Sequence, residues 1–178
     1  KWQQPVDRSE WHMPAHLVNA YYDPQQNQIV FPAAILQAPF YDLSQSSSAN
    51  YGGIGAVIAH EISHAFDTNG AAFDEFGSLN NWWTDADFKA FKQRTDQVVA
   101  QFDGLESYGA KVNGKLTVSE NVADLGGLAA ALAAAKLDDD FSARAFFESW
   151  ATIWRMKARP EYMQLLAASD PHGPAKLR

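Results

Sequence analysis

The chain has 178 residues, 47% of them hydrophobic and 13% aromatic, which is material for one well-packed domain and not for a disordered or low-complexity segment. Its formal net charge of −7, from 14 basic against 21 acidic residues, argues against a nucleic-acid binder, which would carry a basic stripe. Cysteine is absent, so disulfides and thiolate chemistry are excluded, and no apolar run approaches the roughly 18 residues needed to span a bilayer.

Residues 1–16 hold Pro5 and Pro14 amid mixed polarity and read as an irregular lead-in. His12 and His16 are four apart, but Pro14 between them works against a shared helical face, so both read as surface or packing histidines. Leu17 to Tyr22 and Gln28 to Phe31 are β-prone runs around Asp23-Pro24-Gln25-Gln26-Asn27, which is a hairpin signal. Pro32 and Pro39 then bracket an apolar stretch too short to type. Ser44 to Asn50 reads as a polar loop, with Asn50 as N-cap of the helix that follows. Gly52, Gly53 and Gly55 at its start invite close approach of a neighbouring backbone. Ile54, Val57, Ile58, Ile62 and Phe66 surround that helix, which is therefore expected to be largely buried.

Asn69-Gly70 marks a turn, and residues 71–83 read as a loop closing on Trp82-Trp83. Thr84-x-x-Asp87 resembles a capping box opening a helix to about Phe102 that would bury Phe88, Phe91, Val98 and Phe102. Residues 103–116 are turn-prone and predicted as a loop. Thr117 to about Lys136 is rich in alanine and leucine, a helix despite Gly126-Gly127. Asp138-Asp139-Asp140 is expected to cap a helix from about Ser142 to Lys157 bearing Phe146, Phe147, Trp150 and Trp154. Pro160 suits the first position of a short helix to about Ala168. Neither an internal repeat nor a linker divides the chain.

Chemistry concentrates in His60-Glu61-Ile62-Ser63-His64. Residues four apart on a helix stand one above the other, about 6 Å along the axis, so the two imidazoles can reach one Zn²⁺. Glu61 is turned about 100° from His60 and about 60° from His64, so it flanks the metal where it could take a proton from a zinc-activated water. A bare H-E-x-x-H also fits a buried helix whose histidines bond to backbone or carboxylates.

Two histidines do not hold zinc alone. Asp67 and Gly70 stand where the metzincin continuation needs glycine and histidine, which excludes that class. A carboxylate from a second helix remains, and Glu120-Asn121-Val122-Ala123-Asp124 places two acids on one face of an otherwise apolar helix. Zn²⁺ for Glu120 and an imidazole N–H for Asp124 would satisfy them, and Asp67 could do the same for His64. The alternative is an exposed acidic pair favoured by the helix macrodipole.

Beyond the zinc motif, Asn19-Ala20-Tyr21-Tyr22, Glu120-Asn121-x-Ala123-Asp124-x-Gly126-Gly127, Arg159-Pro160-Glu161-Tyr162 and Asp170-Pro171-His172-Gly173-Pro174-x-x-x-Arg178 occur in this order. With His60 to Asp67, this set resembles the catalytic part of the neprilysin and endothelin-converting-enzyme family of zinc endopeptidases, bacterial oligopeptidases included, over essentially the whole chain. The resemblance implies a mainly helical α+β, thermolysin-like zincin domain spanning residues 1–178, with a short N-terminal β-hairpin whose edge strand takes substrate. It implies one Zn²⁺ on His60, His64 and Glu120, with Glu61 as general base, Asp124 orienting His60 and Asp67 orienting His64. By the same resemblance, Asn19 and Ala20 bind the substrate backbone, His172 stabilises the oxyanion and Arg178 binds a substrate carbonyl. Ile35, Phe40, Val57 and Trp154 would line an apolar pocket after the cut, implying peptide cleavage before hydrophobic residues; plain core packing is the other reading of these four.

Members of that family are several times longer, carry a second, mostly helical domain capping the cleft, and continue past the position of Arg178. The expectation is therefore a fragment of a longer, extracytoplasmic protein (periplasmic, secreted or cell-surface) whose partners are peptides and its own capping domain. An inactive zinc-binding relative and a metal-free helical interaction domain are the rival readings.

Overall fold

The computed structural model describes residues 7–178, so the first part of the lead-in, residues 1–6, lies outside the described residues. Mainly helical α+β architecture is observed, with two small antiparallel hairpins. Strands β1 (Tyr21–Asp23) and β2 (Gln28–Val30) pair with Tyr21 opposite Val30, shorter than the β-prone runs in the sequence. Asn27 at φ 46° and the Asp23 carboxylate, accepting from the Gln25 amide at 2.9 Å, make the turn between them. The sheet has two strands only, so the far edge of β1 is unpaired within it.

The zinc-motif helix starts earlier than the sequence indicated. Ser46, not Asn50, is the N-cap: its hydroxyl accepts from the Ala49 amide, and α1 (Ser47–Asn50) follows. Asn50 is inside the helix, and its side chain ties Asp42 through both backbone groups, at 3.1 and 2.9 Å. A π-turn over Tyr51–Gly55 joins α1 to α2 (Ala56–Ser63). There Gly53 takes φ −89°, ψ −105°, and the Ile54 amide leaves the helical ladder to donate to the Phe40 carbonyl at 2.8 Å. The two glycines are needed for this crossing: a Cβ on Gly52 or Gly53 would strike the carbonyl of Phe146 or Phe40.

Helix α3 (Asp85–Phe102) opens on the expected capping box, Thr84 Oγ1 accepting from the Asp87 amide and Asp87 Oδ2 from the Thr84 amide. Of its four expected core residues only Phe102 is buried; Phe88, Phe91 and Val98 are half-buried, the two phenylalanines stacked edge-on against Trp83. Residues 103–116, expected as loop, contain a hairpin of β3 (Glu106–Ser107) and β4 (Ala110–Lys111). Its two-residue turn, Tyr108-Gly109, has φ 54° and 81°, the positive pair that matches strand twist. Helix α4 (Gly114–Ala135) begins three residues before Thr117 because the Asn113 side chain caps the Lys115 and Leu116 amides, both at 3.1 Å.

Ser142, not the aspartate run, caps α5 (Ala143–Ile153), and Asp138 instead accepts from the Ser47 hydroxyl. Phe146 and Trp150 are buried on α5 and Trp154 continues their stripe beyond its end, while Phe147 faces outward. Pro160 opens α6 (Pro160–Ser169) as expected.

The core joins Ile35, Ile54, Val57, Phe146, Trp150 and Ile153 with alanines of α4. Helices α2 and α4 press together at Gly127, where a Cβ would lie 2.7 Å from the His60 amide nitrogen. That closeness brings the acids of α4 to the histidines of α2. The expectation that α2 is largely buried holds for one side only. Ile54 and Val57 face the core, whereas Ile58, Ile62 and Phe66 are 37, 47 and 58% exposed, because α4 and the β1–β2 hairpin cover the other sides. Among the described residues, no helix is long and apolar enough to cross a membrane.

Candidate active site

His60 and His64 lie one turn apart, the first in α2 and the second opening the short 3₁₀ turn His64–Phe66 that continues it. Their ring planes are nearly perpendicular, at 85°. Each Nδ1 is engaged by a carboxylate: His60 with Asp124 Oδ1 at 2.9 Å, His64 with Asp67 Oδ2 at 3.0 Å. A neutral imidazole that gives its Nδ1 proton to such a carboxylate keeps Nε2 as an acceptor, and the two Nε2 atoms face each other at 3.1 Å. Glu120 from α4 brings Oε2 to 3.2 Å from His60 Nε2 and 3.5 Å from His64 Nε2. That oxygen is buried and has no properly aligned hydrogen bond, despite three imidazoles around it.

Two imidazole nitrogens and a carboxylate oxygen converging on one point need positive charge between them, supplied by protons or by a metal ion. At Zn–N distances of about 2.0–2.1 Å, tetrahedral ligands stand roughly 3.3 Å from one another, close to the three separations observed. The donor set therefore fits Zn²⁺. A Glu61 carboxylate oxygen also falls within 4.8 Å of the two ring nitrogens. Glu120 is the better third ligand, being in direct contact with both Nε2 atoms and lacking any other aligned partner.

The charges respond to this crowding. Burial, the largest influence, works against a proton on His64, but its hydrogen bond to Asp67 and its contact with the Glu120 carboxylate prevail and push its pKa up to about 10. His60 is raised in the same way, Asp124 and Glu120 outweighing burial. Glu120 is held well below the usual carboxylate range: burial opposes this, and the His60 and His64 contacts overcome it. Glu61 moves the other way, raised chiefly by burial.

Around this centre the structure gathers most of the residues expected from the sequence. A cavity of about 420 Å³ is lined by Asn19, Ala20, His60, Glu61, His64, Asp67, Glu120 and His172. His172 points Nε2 to 3.3 Å from Glu120 Oε2. A second, narrower cavity of about 80 Å³ opens beside it between Ile35, Phe40, Val57, Trp154 and Arg178. Ile35 and Val57 thus serve as core and as cavity wall at once. Two expected contacts are engaged differently. The Ala20 amide donates to its neighbour's Asn19 Oδ1 at 2.9 Å, and the Arg178 guanidinium clasps Asp124 through Nε and Nη2 at 2.6 and 2.7 Å. Arg178 also lies 3.7 Å above the Trp154 ring, a cation–π contact, so Asp124 links it to His60. His12 sits away from the centre, 3.2 Å from Asp23, as expected of a packing histidine.

Sequence reasoning missed Asp170 and Ser119. Asp170 Oδ1 accepts from the His172 amide at 2.8 Å and meets His172 Nδ1 at 2.7 Å, fixing the ring. Its signal was present: an Asp two residues before another bonds forward along its own backbone. Ser119 Oγ donates to Asp67 Oδ2 at 3.1 Å across the α2–α4 contact, which no spacing foretells.

The description "Peptidase family M13" matches residues 19–178. A neutral endopeptidase of Lactococcus lactis is 62% identical over the whole chain, which spans 28% of that relative's length. The crystal structure of PepO from Lactobacillus rhamnosis matches 97% of the chain and 28% of its own, at 52% identity and TM-score 0.89. An inhibitor complex of a zinc metalloprotease from Mycobacterium tuberculosis matches 98% of the chain and 29% of its own, at 44% identity and TM-score 0.91.

Proposed function

Since the chain belongs to peptidase family M13, we propose that it is the zinc-binding catalytic domain of a longer endopeptidase that hydrolyses oligopeptides, working outside the cytoplasm with a capping domain supplied by the rest of the protein. One observation carries the reading: the Nε2 atoms of His60 and His64 and the orphaned Oε2 of Glu120 converge to within 3.1–3.5 Å of one another. These three would hold one Zn²⁺, with Asp124 and Asp67 fixing the imidazoles from behind. When bound, the ion supplies Lewis-acid polarisation of the scissile carbonyl and acidifies water.

The chain's own groups supply the rest. Glu61 is buried beside the metal ligands with a raised pKa, suited to accepting a proton from the attacking water and giving it to the leaving amine. His172, held by Asp170, donates toward the oxygen on which charge develops, and one such donor is typically worth about 3–4 kcal/mol. Asn19 and Ala20, which lead into β1, would seat the substrate as an added strand, the Ala20 amide exchanging its Asn19 partner for the peptide. Arg178, at the cavity wall, keeps N–H groups beyond those given to Asp124 for a substrate carbonyl. The narrow cavity between Phe40, Val57 and Trp154 would receive a hydrophobic side chain after the cut.

The test replaces one atom. Glu61→Gln keeps the shape and removes the base, so the purified variant is expected to retain zinc by metal analysis and lose peptide turnover by about a thousandfold or more. Retained turnover would refute Glu61 as the base, and a zinc-free wild type would refute the metal centre.

A further inference from the structure

A third cavity, about 330 Å³, adjoins the narrow one on the far side of Trp154 and Arg178. Trp154, Met156, Tyr162, Met163, Leu166 and Arg178 make most of its wall. Three of these come from α6 at helical spacing, and its two methionines are side chains that repack easily around varied apolar partners. Its charged groups are paired, Arg178 with Asp124 and Asp170 with His172, and the side chains of α6 and Met156 give it a mainly apolar wall.

Position decides what that ligand is. The narrow and the larger cavity share Val18, Asn19, Trp154, His172 and Arg178, with the guanidinium stacked 3.7 Å above the indole at the wall they have in common. Both therefore lie side by side along the segment Val18-Asn19 that leads into β1. In an extended peptide, neighbouring residues point to opposite faces, and side chains on one face recur every second residue, roughly 6.5–7 Å apart. If the first residue after the cut fills the narrow cavity, the second points away and the third returns to the same wall.

We propose that this cavity is a specificity subsite for an apolar side chain on the third residue after the scissile bond, with Met156, Tyr162 and Leu166 as its selecting residues. The inference rests on the peptidase reading, which sets where the cut lies. An acidic residue there would be desolvated beside the carboxylate of Asp170, and the charge of Arg178 is already matched by Asp124, so acids are disfavoured.

The experiment uses the full-length, zinc-loaded protein and peptides identical but for the second or third residue after the cut. Leucine at the third position should exceed aspartate by about tenfold in kcat/KM, the scale of one apolar pocket contact. Met156→Lys, at a site 43% exposed and so tolerant of change, should shift that ratio toward aspartate by about tenfold. A merely structural role for Met156 would alter all peptides alike. Calorimetric binding of the product tripeptides Ile-Ala-Leu and Ile-Ala-Asp gives the same comparison without turnover. Failure to cleave any peptide would sink the peptidase reading while the tripeptides still decide the subsite. Equal rates and affinities across third residues, or a preference confined to the second, would overturn the proposal.

Discussion

Glu61 and Glu120 line the same cavity, yet their environments push them in opposite directions: burial raises Glu61, while His60 and His64 overcome burial to hold Glu120 ionised. Carboxylates driven apart in this way take different roles, one exchanging protons and one remaining a fixed anion. This was half-legible in the sequence. Helix geometry alone placed Glu61 beside the two histidines, but Glu120 could be read as an exposed acid until the α2–α4 contact set it at 3.2 Å from His60. Asp170 went unread because the Asp-Pro-His run looks like any loop turn; only folded coordinates show that Nδ1 of His172 is held while Nε2 faces the centre. Asp170→Asn keeps the backbone turn and removes the charge behind the ring. The expected result is a fall in kcat of about 10–100-fold with little change in KM, read from steady-state kinetics. An unchanged kcat would show that the pair serves the loop only.

At the scale of elements, the site depends on two helices approaching more closely than side chains ordinarily allow. Gly127 makes that approach possible, and Gly126 beside it meets no such constraint, its nearest neighbour being Ser63 at 3.7 Å. In the sequence the Gly-Gly pair read as a weakness in an alanine-rich helix and as part of a family motif, with no structural reason attached. Gly127→Val should part α2 from α4, lower thermal stability by an amount typical of overpacking, about 1–3 kcal/mol or more, and reduce zinc affinity. Gly126→Ala should do neither; differential scanning calorimetry and metal analysis compare the two. Capping explains where element boundaries were and were not foreseen. Thr84 and Pro160 announced α3 and α6, because their local chemistry is unambiguous. Asn50 and the aspartate run were plausible caps that lost to Ser46 and Ser142, since Asn50 bonds Asp42 and Asp138 bonds Ser47, both tertiary contacts.

For the molecule as a whole, metal and protons compete for the same atoms. His64 is raised from its ordinary 6.5 to about 10, so without metal its contribution to stability is complete below 6.5 and is lost as pH rises toward 10. Glu120 is lowered from 4.5, so its contribution is present above that value and is lost on acidification. The chelated protein should therefore be most stable between about 4.5 and 6.5. Zinc on the two Nε2 atoms would displace their protons, so it should raise Tm and move the optimum to higher pH. Thermal melts across pH with excess zinc and with chelator check both statements; superimposable curves would contradict them. The zinc-motif helix was legible because period and spacing are local properties, and the fold class because the ordered motifs resemble those of a known family. Exposure of Ile58, Ile62 and Phe66 was not, because one helix's sequence does not say which of its faces another element covers.

The most direct measurement is anomalous scattering at the zinc edge from crystals of the zinc-loaded protein. The expected result is a single peak about 2.0–2.2 Å from His60 Nε2, His64 Nε2 and a carboxylate oxygen of Glu120, with Glu61 outside the coordination shell. No peak there, or a peak ligated by Glu61 with Glu120 left free, would contradict it.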